Sequence, residues 1–242
     1  MKYYSGTIAD CKIAYIGGGS RGWAWRLMAD LAMEPELSGT IALYDIDFEA
    51  ARQNEIIGNR LSAREEAAGK WKYEAVKTMG EALTGADFVI ISIMPGTFEE
   101  MASDVHAPEA YGIWQSGGDT VGPGGLLRAL RTLPMYIEIA EAIQTYAPDA
   151  WVINYTNPMS LCVKVLYHVF PGIKAFGCCH EVFGTQKVLR NILEDTTGLK
   201  GIDRSEILVN VVGVNHFTWF TEASYQGMDL FPIYRDYVDS HF

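Results

Sequence analysis

The chain has 242 residues, enough for one large domain or two small ones. Almost half of them are hydrophobic and only 20% are charged, so the chain can bury a sizeable core. A net charge of −11 argues against nucleic acid, whose phosphate backbone needs a basic face. It leaves room for a small acidic substrate, because a site can be locally positive.

The opening stretch MKYYSGTIADCKIAYIGG lacks an apolar run of secretory length followed by a cleavage site. No apolar stretch reaches the roughly 18 residues that a membrane span needs. The four cysteines, two of them adjacent, do not resemble a disulfide framework. A cytoplasmic protein with no membrane partner is expected.

Apolar runs and turn residues then predict the elements in order. KIAYIG (12–17) is a short strand that halts in GGGSRG, and WAWRLMADLAM has helical spacing. IALYD (41–45) is a second strand, followed by the charged amphipathic helix FEAARQNEIIGNRLSAREEAAG. ADFVIISIM (86–94) is a third, apolar throughout, as in a parallel sheet covered on both faces. A long helix follows in GLLRALRTLPMYIEIAEAIQTYA, with Pro134 expected to bend or restart it. WVINYTN (151–157) and IKAFGCC (173–179) are strands four and five, each followed by a helix, the second ending near Gly198. ILVNVVGVNHFTWF begins a new β segment. This alternation predicts a doubly wound α/β Rossmann sheet over 1–200 and the start of a second α/β domain over 201–242.

Gly17, Gly19 and Gly22 fit G-x-G-x-x-G directly after a strand and before a helix, with Gly18, Ser20 and Arg21 in the same turn. The first glycine permits the turn. The second lets the backbone approach a pyrophosphate, and the third lets helix and strand pack closely. The helix N-terminus offers N–H groups to phosphate. Asp45 closes the second strand about 20 residues on, where an acid grips a ribose hydroxyl. The acid favours NAD over NADP, although Arg21 softens that preference and FAD fits the same motif. The bland reading is an ordinary glycine turn.

Ligands of such sheets sit beyond the carboxyl ends of the strands. Asn157 stands there in NYTNP, where its amide suits ligand hydroxyls or caps a helix. GGDTVGPGG (117–125) reads as a glycine-rich loop leading to Arg128 and Arg131 on one helix face. The two guanidinium groups suit an anionic ligand or are simply solvated. In CCHEV, neighbouring residues of a strand point to opposite sides, so Cys178 faces the core and Cys179 the crevice. Cys179 with His216 of GVNHF suits an open site for zinc, iron, cobalt, nickel or manganese. The bland reading is a buried core cysteine and a histidine satisfied in the core or at the surface, which a lone histidine more often is than a ligand.

The set GGGS, LYDID, ADFVIISI, GPGG with LLRALRTLP, NYTNP, CHEV and GVNHF, from about residue 12 to the end, resembles glycoside hydrolase family 4. The resemblance implies a lactate/malate dehydrogenase-like Rossmann domain, NAD, and a divalent metal, usually Mn2+. It makes Cys179 and His216 metal ligands, Asn157 a substrate contact and His180 the proposed acid. It implies hydrolysis without net redox change, by oxidation at C3, elimination at the C1–oxygen bond, water addition and re-reduction.

The motif Cys-His-Glu-Val is similar to that of the α-glucoside and α-galacturonide branch, and CHEVFGTQ most like the α-galacturonidases. Met101-Ala102-Ser103-Asp104 lacks the arginine of the phospho-sugar branch. A uronate carboxylate is instead expected to meet an arginine near the glycine-rich stretch, such as Arg128. The resemblance further implies a homo-oligomer in the full-length form, and a catalytic base beyond Phe242, so that the second domain is read as truncated. His180 and Glu181 both stay open as the acid. An NAD-dependent sugar or hydroxy-acid dehydrogenase is the alternative, since its Rossmann core reads alike.

Overall fold

In the computed structural model, which describes residues 1–4, 6–115 and 119–241, the first apolar run is the end of a longer strand. β1 (Lys2–Tyr4) folds back antiparallel on the start of β2 (Thr7–Ile16), and α1 (Trp23–Ala32) follows the glycine turn. β3 (Leu37–Tyr44), α2 (Phe48–Ser62), β4 (Lys70–Val76), α3 (Met79–Leu83) and β5 (Phe88–Ile91) come next. α4 (Phe98–His106), α5 (Gly122–Tyr146), β6 (Trp151–Asn154), α6 (Met159–Val169) and β7 (Lys174–Gly177) complete the first unit. Its parallel strands lie in the order β4-β3-β2-β5-β6-β7. That is the doubly wound order, with the direction of winding reversing between β2 and β5.

Period-two alternation divides the sheet's residues between its two faces. Ala14 and Ile16 cluster with Tyr136, Ile139 and Ile143 of α5 and Leu166 of α6. Ile13 and Tyr15 cluster instead with Met28 and Leu31 of α1 and Ala51 of α2. Each fully buried Ile or Leu of these layers contributes about 1.5–3 kcal/mol. Both faces are therefore covered, as the apolar strands predict.

Contacts divide the chain into Met1–Cys178 and Cys179–Phe242, earlier than the boundary expected at residue 200. The reason lies in α7 (Glu181–Thr197), which buries Leu189 and Leu193 against Ile207, Ala223 and Tyr225. Those partners belong to a three-stranded antiparallel sheet of β8 (Ile207–Val214), β9 (Phe217–Tyr225) and β10 (Met228–Asp229), followed by α8 (Phe231–His241).

Two local expectations are corrected. α5 does not restart at Pro134 but runs through it in one span, because Ala129, Thr132, Tyr136 and Ile139 anchor it on both sides of the lost hydrogen bond. The glycine-rich stretch is helical from Gly122 onward, with Pro123 in the first turn, where a missing N–H does no harm. Gly117 and Gly118, which open that stretch, lie outside the described residues. No described helix is long and apolar enough to cross a membrane.

Candidate functional site

The glycine turn follows β2 at the point where the sheet order reverses. Gly17 has φ +94, and a Cβ there would lie 2.0 Å from the Ser92 carbonyl oxygen. Only glycine fits. The Gly17 and Gly18 N–H groups both donate to Tyr44 O at 2.9 Å, and Ser20 N–H donates to Gly17 O at 3.1 Å. A Cβ on Gly18 would meet Leu43 Cβ at 2.8 Å, and one on Gly19 would meet Ala50 Cβ at 2.7 Å.

Close approach therefore belongs to Gly17, Gly18 and Gly19. At Gly22, which the motif makes the packing glycine, a Cβ would meet nothing within 4 Å. Gly22 is instead the N-cap residue of α1, and it and Arg21 are exposed. Asp45 lies against the turn: its Oδ2 accepts from Gly19 N–H at 2.8 Å and its Oδ1 from Asp47 N–H at 3.0 Å.

Asn54 holds the turn from behind, a role that sequence reasoning missed. Its Nδ2 donates to Gly18 O at 2.7 Å and Ser20 O at 2.9 Å, while Oδ1 accepts from Trp25 Nε1 at 2.7 Å. A signal was present, because Asn54 falls between Ala51 and Gly58 on the buried stripe of α2, where a polar residue needs partners.

A second cluster follows β6. Buried Asn154 accepts from Tyr136 Oη at 2.5 Å and donates to Thr156 O at 3.0 Å, which shapes the loop carrying Asn157. Burial raises the Tyr136 phenol well above its ordinary value. The Asn157 amide donates to Asp119 Oδ2 at 2.8 Å, and it does not cap α6, whose N-cap position is Pro158. Arg128, only 7% exposed, donates from Nε to Asn157 O at 3.4 Å.

Arg131 is not its twin. Both of its terminal nitrogens go to the carboxylate of buried Asp104, so the pairing of two arginines for one anionic ligand is not what the helix presents. Gln115 ties the same corner together, bonding Asp104 O at 3.1 Å and Gly124 N–H at 3.2 Å.

In the second unit, Cys179 Sγ lies 3.3 Å from His216 Nε2, a hydrogen bond as it stands. Glu181 N–H donates to the same sulfur at 3.4 Å. His216 occupies the turn between β8 and β9 with φ +60. His180 is exposed at the N-cap position of α7. Cys178, expected in the core, is half-buried like Cys179, because β7 ends at Gly177 before either cysteine is reached. No described group of three or more His, Cys, Asp or Glu side chains is arranged for a metal, so Cys179 and His216 make a two-donor set.

A dinucleotide-type sheet with a cysteine–histidine pair is thus the class of molecule described. The chain belongs to family 4 of the glycosyl hydrolases: that family's model matches residues 12–195, and the model of its C-terminal domain matches residues 211–241. An alpha-galacturonidase of Lachnoclostridium phytofermentans is 68% identical over 242 residues, which is 100% of this chain and 52% of that protein. The crystal structure of lplD from Bacillus subtilis superposes with a TM-score of 0.89 at 57% identity, covering 97% of this chain and 53% of that one. A 6-phospho-alpha-glucosidase from gut microorganisms, in complex with NAD and Mn2+, shares the fold with a TM-score of 0.82 at 22% identity, covering 96% of this chain and 51% of that one. The chain spans about half the length of the curated relatives it matches.

Proposed function

We propose that this chain carries the NAD-binding and metal-binding parts of a glycosidase acting on α-galacturonides. The observation that carries the reading is the 3.3 Å approach of Cys179 Sγ to His216 Nε2, two donors far apart in sequence. Identity of 68% across the whole chain to an alpha-galacturonidase supports the choice of sugar. The shared fold of a relative solved with NAD and Mn2+ supports the cofactors.

The residues fit both groups. Of the turn Gly17, Gly18, Gly19, Ser20, Arg21 and Gly22, the last two are exposed at the start of α1, and Asp45 beside it has acceptor capacity for a ribose hydroxyl. Thiolate and imidazole suit a divalent transition metal, Mn2+ among them. When bound, NAD supplies a hydride acceptor for the sugar's C3, and the metal polarises the sugar oxygens. Asn157 contacts sugar hydroxyls. With Arg131 held by Asp104, Arg128 is the cation assigned to the uronate carboxylate. His180 carries the proton for the leaving oxygen, because both Glu181 oxygens are already acceptors for the chain. Four free cysteines support a reducing, cytoplasmic setting, and the full-length protein is read as a homo-oligomer.

The test uses p-nitrophenyl α-galacturonide with the full-length protein and the 242-residue chain, NAD and Mn2+ each present or omitted. Release of p-nitrophenol that needs both, without NADH build-up, is expected from the full-length protein. Steady NADH accumulation would instead identify a dehydrogenase, and absence of release would remove the galacturonide.

A further inference from the structure

Glu181 touches both candidate metal donors, and neither contact belongs to the metal's own ligand set. Its backbone N–H donates to Cys179 Sγ at 3.4 Å. Its side chain crosses to the turn between β8 and β9. There Oε2 accepts the backbone N–H of His216 at 3.2 Å, and Oε1 accepts the Thr218 hydroxyl at 2.5 Å. That turn is an unusual one, because His216 sits at φ +60, a region that few residues other than glycine enter. The sulfur is thus referenced to the first residue of α7, and the imidazole to the same residue's carboxylate.

We infer that Glu181 is a positioning residue that sets the separation of Cys179 and His216 before any metal arrives. The inference rests on the metal-binding reading above. It gives the glutamate of Cys-His-Glu-Val a mechanical role: two acceptor bonds clamp one hairpin turn to one helix start. Partners of this kind typically change metal affinity by about 10–100-fold when removed.

The two acceptor bonds predict a graded series. Glu181→Ala removes both. Glu181→Gln keeps one oxygen for the His216 N–H, while its amide NH2 can donate to the Thr218 hydroxyl, which rotates to accept. Thr218→Val removes one bond only.

The experiment is Co2+ titration of the full-length protein, followed by the sulfur-to-cobalt charge-transfer absorption, with NAD binding by fluorescence as a control for the fold. Glu181→Ala is expected to weaken Co2+ binding at least about tenfold. It should keep the absorption band at saturation and leave NAD affinity unchanged. Glu181→Gln should stay within about threefold of the parent, and Thr218→Val should fall between the two. Parent-like Co2+ affinity in Glu181→Ala would overturn the inference. So would Glu181→Gln as weak as Glu181→Ala, which would point to charge rather than geometry. If Glu181→Ala does not fold, Thr218→Val decides, and parent-like affinity there overturns it. The metal reading fails separately, if Cys179→Ser and His216→Ala both bind Co2+ like the parent.

Discussion

Arg131 gives both terminal nitrogens of its guanidinium to Asp104, whose side chain is only 4% exposed. The pair fastens α4 to α5, and Gln115 bonds the Asp104 carbonyl beside it. Asp104→Ala would leave a guanidinium facing an emptied, largely buried carboxylate site. The expected loss is about 2–3 kcal/mol, below the usual range for a buried pair because Arg131 keeps part of its solvent contact. Urea unfolding measures it, and a change under about 0.5 kcal/mol would mean that water replaces the lost partner. Adding Arg131→Met should recover part of the loss, since the uncompensated charge goes with it.

Asn54 predicts a different outcome, because its three hydrogen bonds converge on the glycine turn. Asn54→Ala orphans two carbonyls and an indole N–H, for an expected loss of about 1–3 kcal/mol. NAD affinity should fall with it, since the turn loses its brace. Calorimetric titration against unfolding midpoints separates the two effects. Full NAD affinity in a destabilised variant would confine Asn54 to the fold.

The glycines of the motif should not behave alike. Gly17→Ala forces a Cβ to within 2.0 Å of a carbonyl oxygen at φ +94, so it should prevent folding or lower stability by more than about 3 kcal/mol. Gly22→Ala places its methyl in open space and should stay within about 0.5 kcal/mol of the parent. Thermal midpoints of the two variants test this directly. Equal destabilisation would put the close approach back at Gly22.

Burial of weak acids sets the alkaline limit. The Cys162 thiol is pushed up to about 12 from 9.0, the Tyr15 phenol to about 12 from 10.0 and the Cys11 thiol to about 11 from 9.0, desolvation being the largest cause in each. Between the unfolded and folded values the unfolded chain gives up protons that the folded chain keeps. Stability is therefore full below about pH 9 and falls as pH rises towards 12. Urea midpoints at about pH 8 and pH 10.5 should show the fall, and a flat profile would contradict the burial of these groups. At neutral pH, a thiol reagent should reach Cys178 and Cys179 well before Cys11 and Cys162, which are buried.

Much of the fold is legible from local chemistry alone. Runs such as Ile13–Ala14–Tyr15–Ile16 need cover on both faces, and a glycine after such a strand is demanded by its own backbone. β4 escaped because Lys-Trp-Lys-Tyr alternates charge with bulk on an edge strand, which looks too polar for this sheet. Pairings across the chain are a different matter, since no local rule states which distant residue a side chain will meet. Sequence could place Arg128 and Arg131 on one helix, but only packing against α4 decided that Asp104 takes the second. It could name Asn157 as a ligand or a cap, and the start of α6, with Pro158 in the N-cap position, removed the cap. Cys179 and His216 were recognisable as candidate donors by their chemistry. Their meeting at 3.3 Å was decided by the hairpin turn that Glu181 clamps, because separation in space is a property of the packed chain.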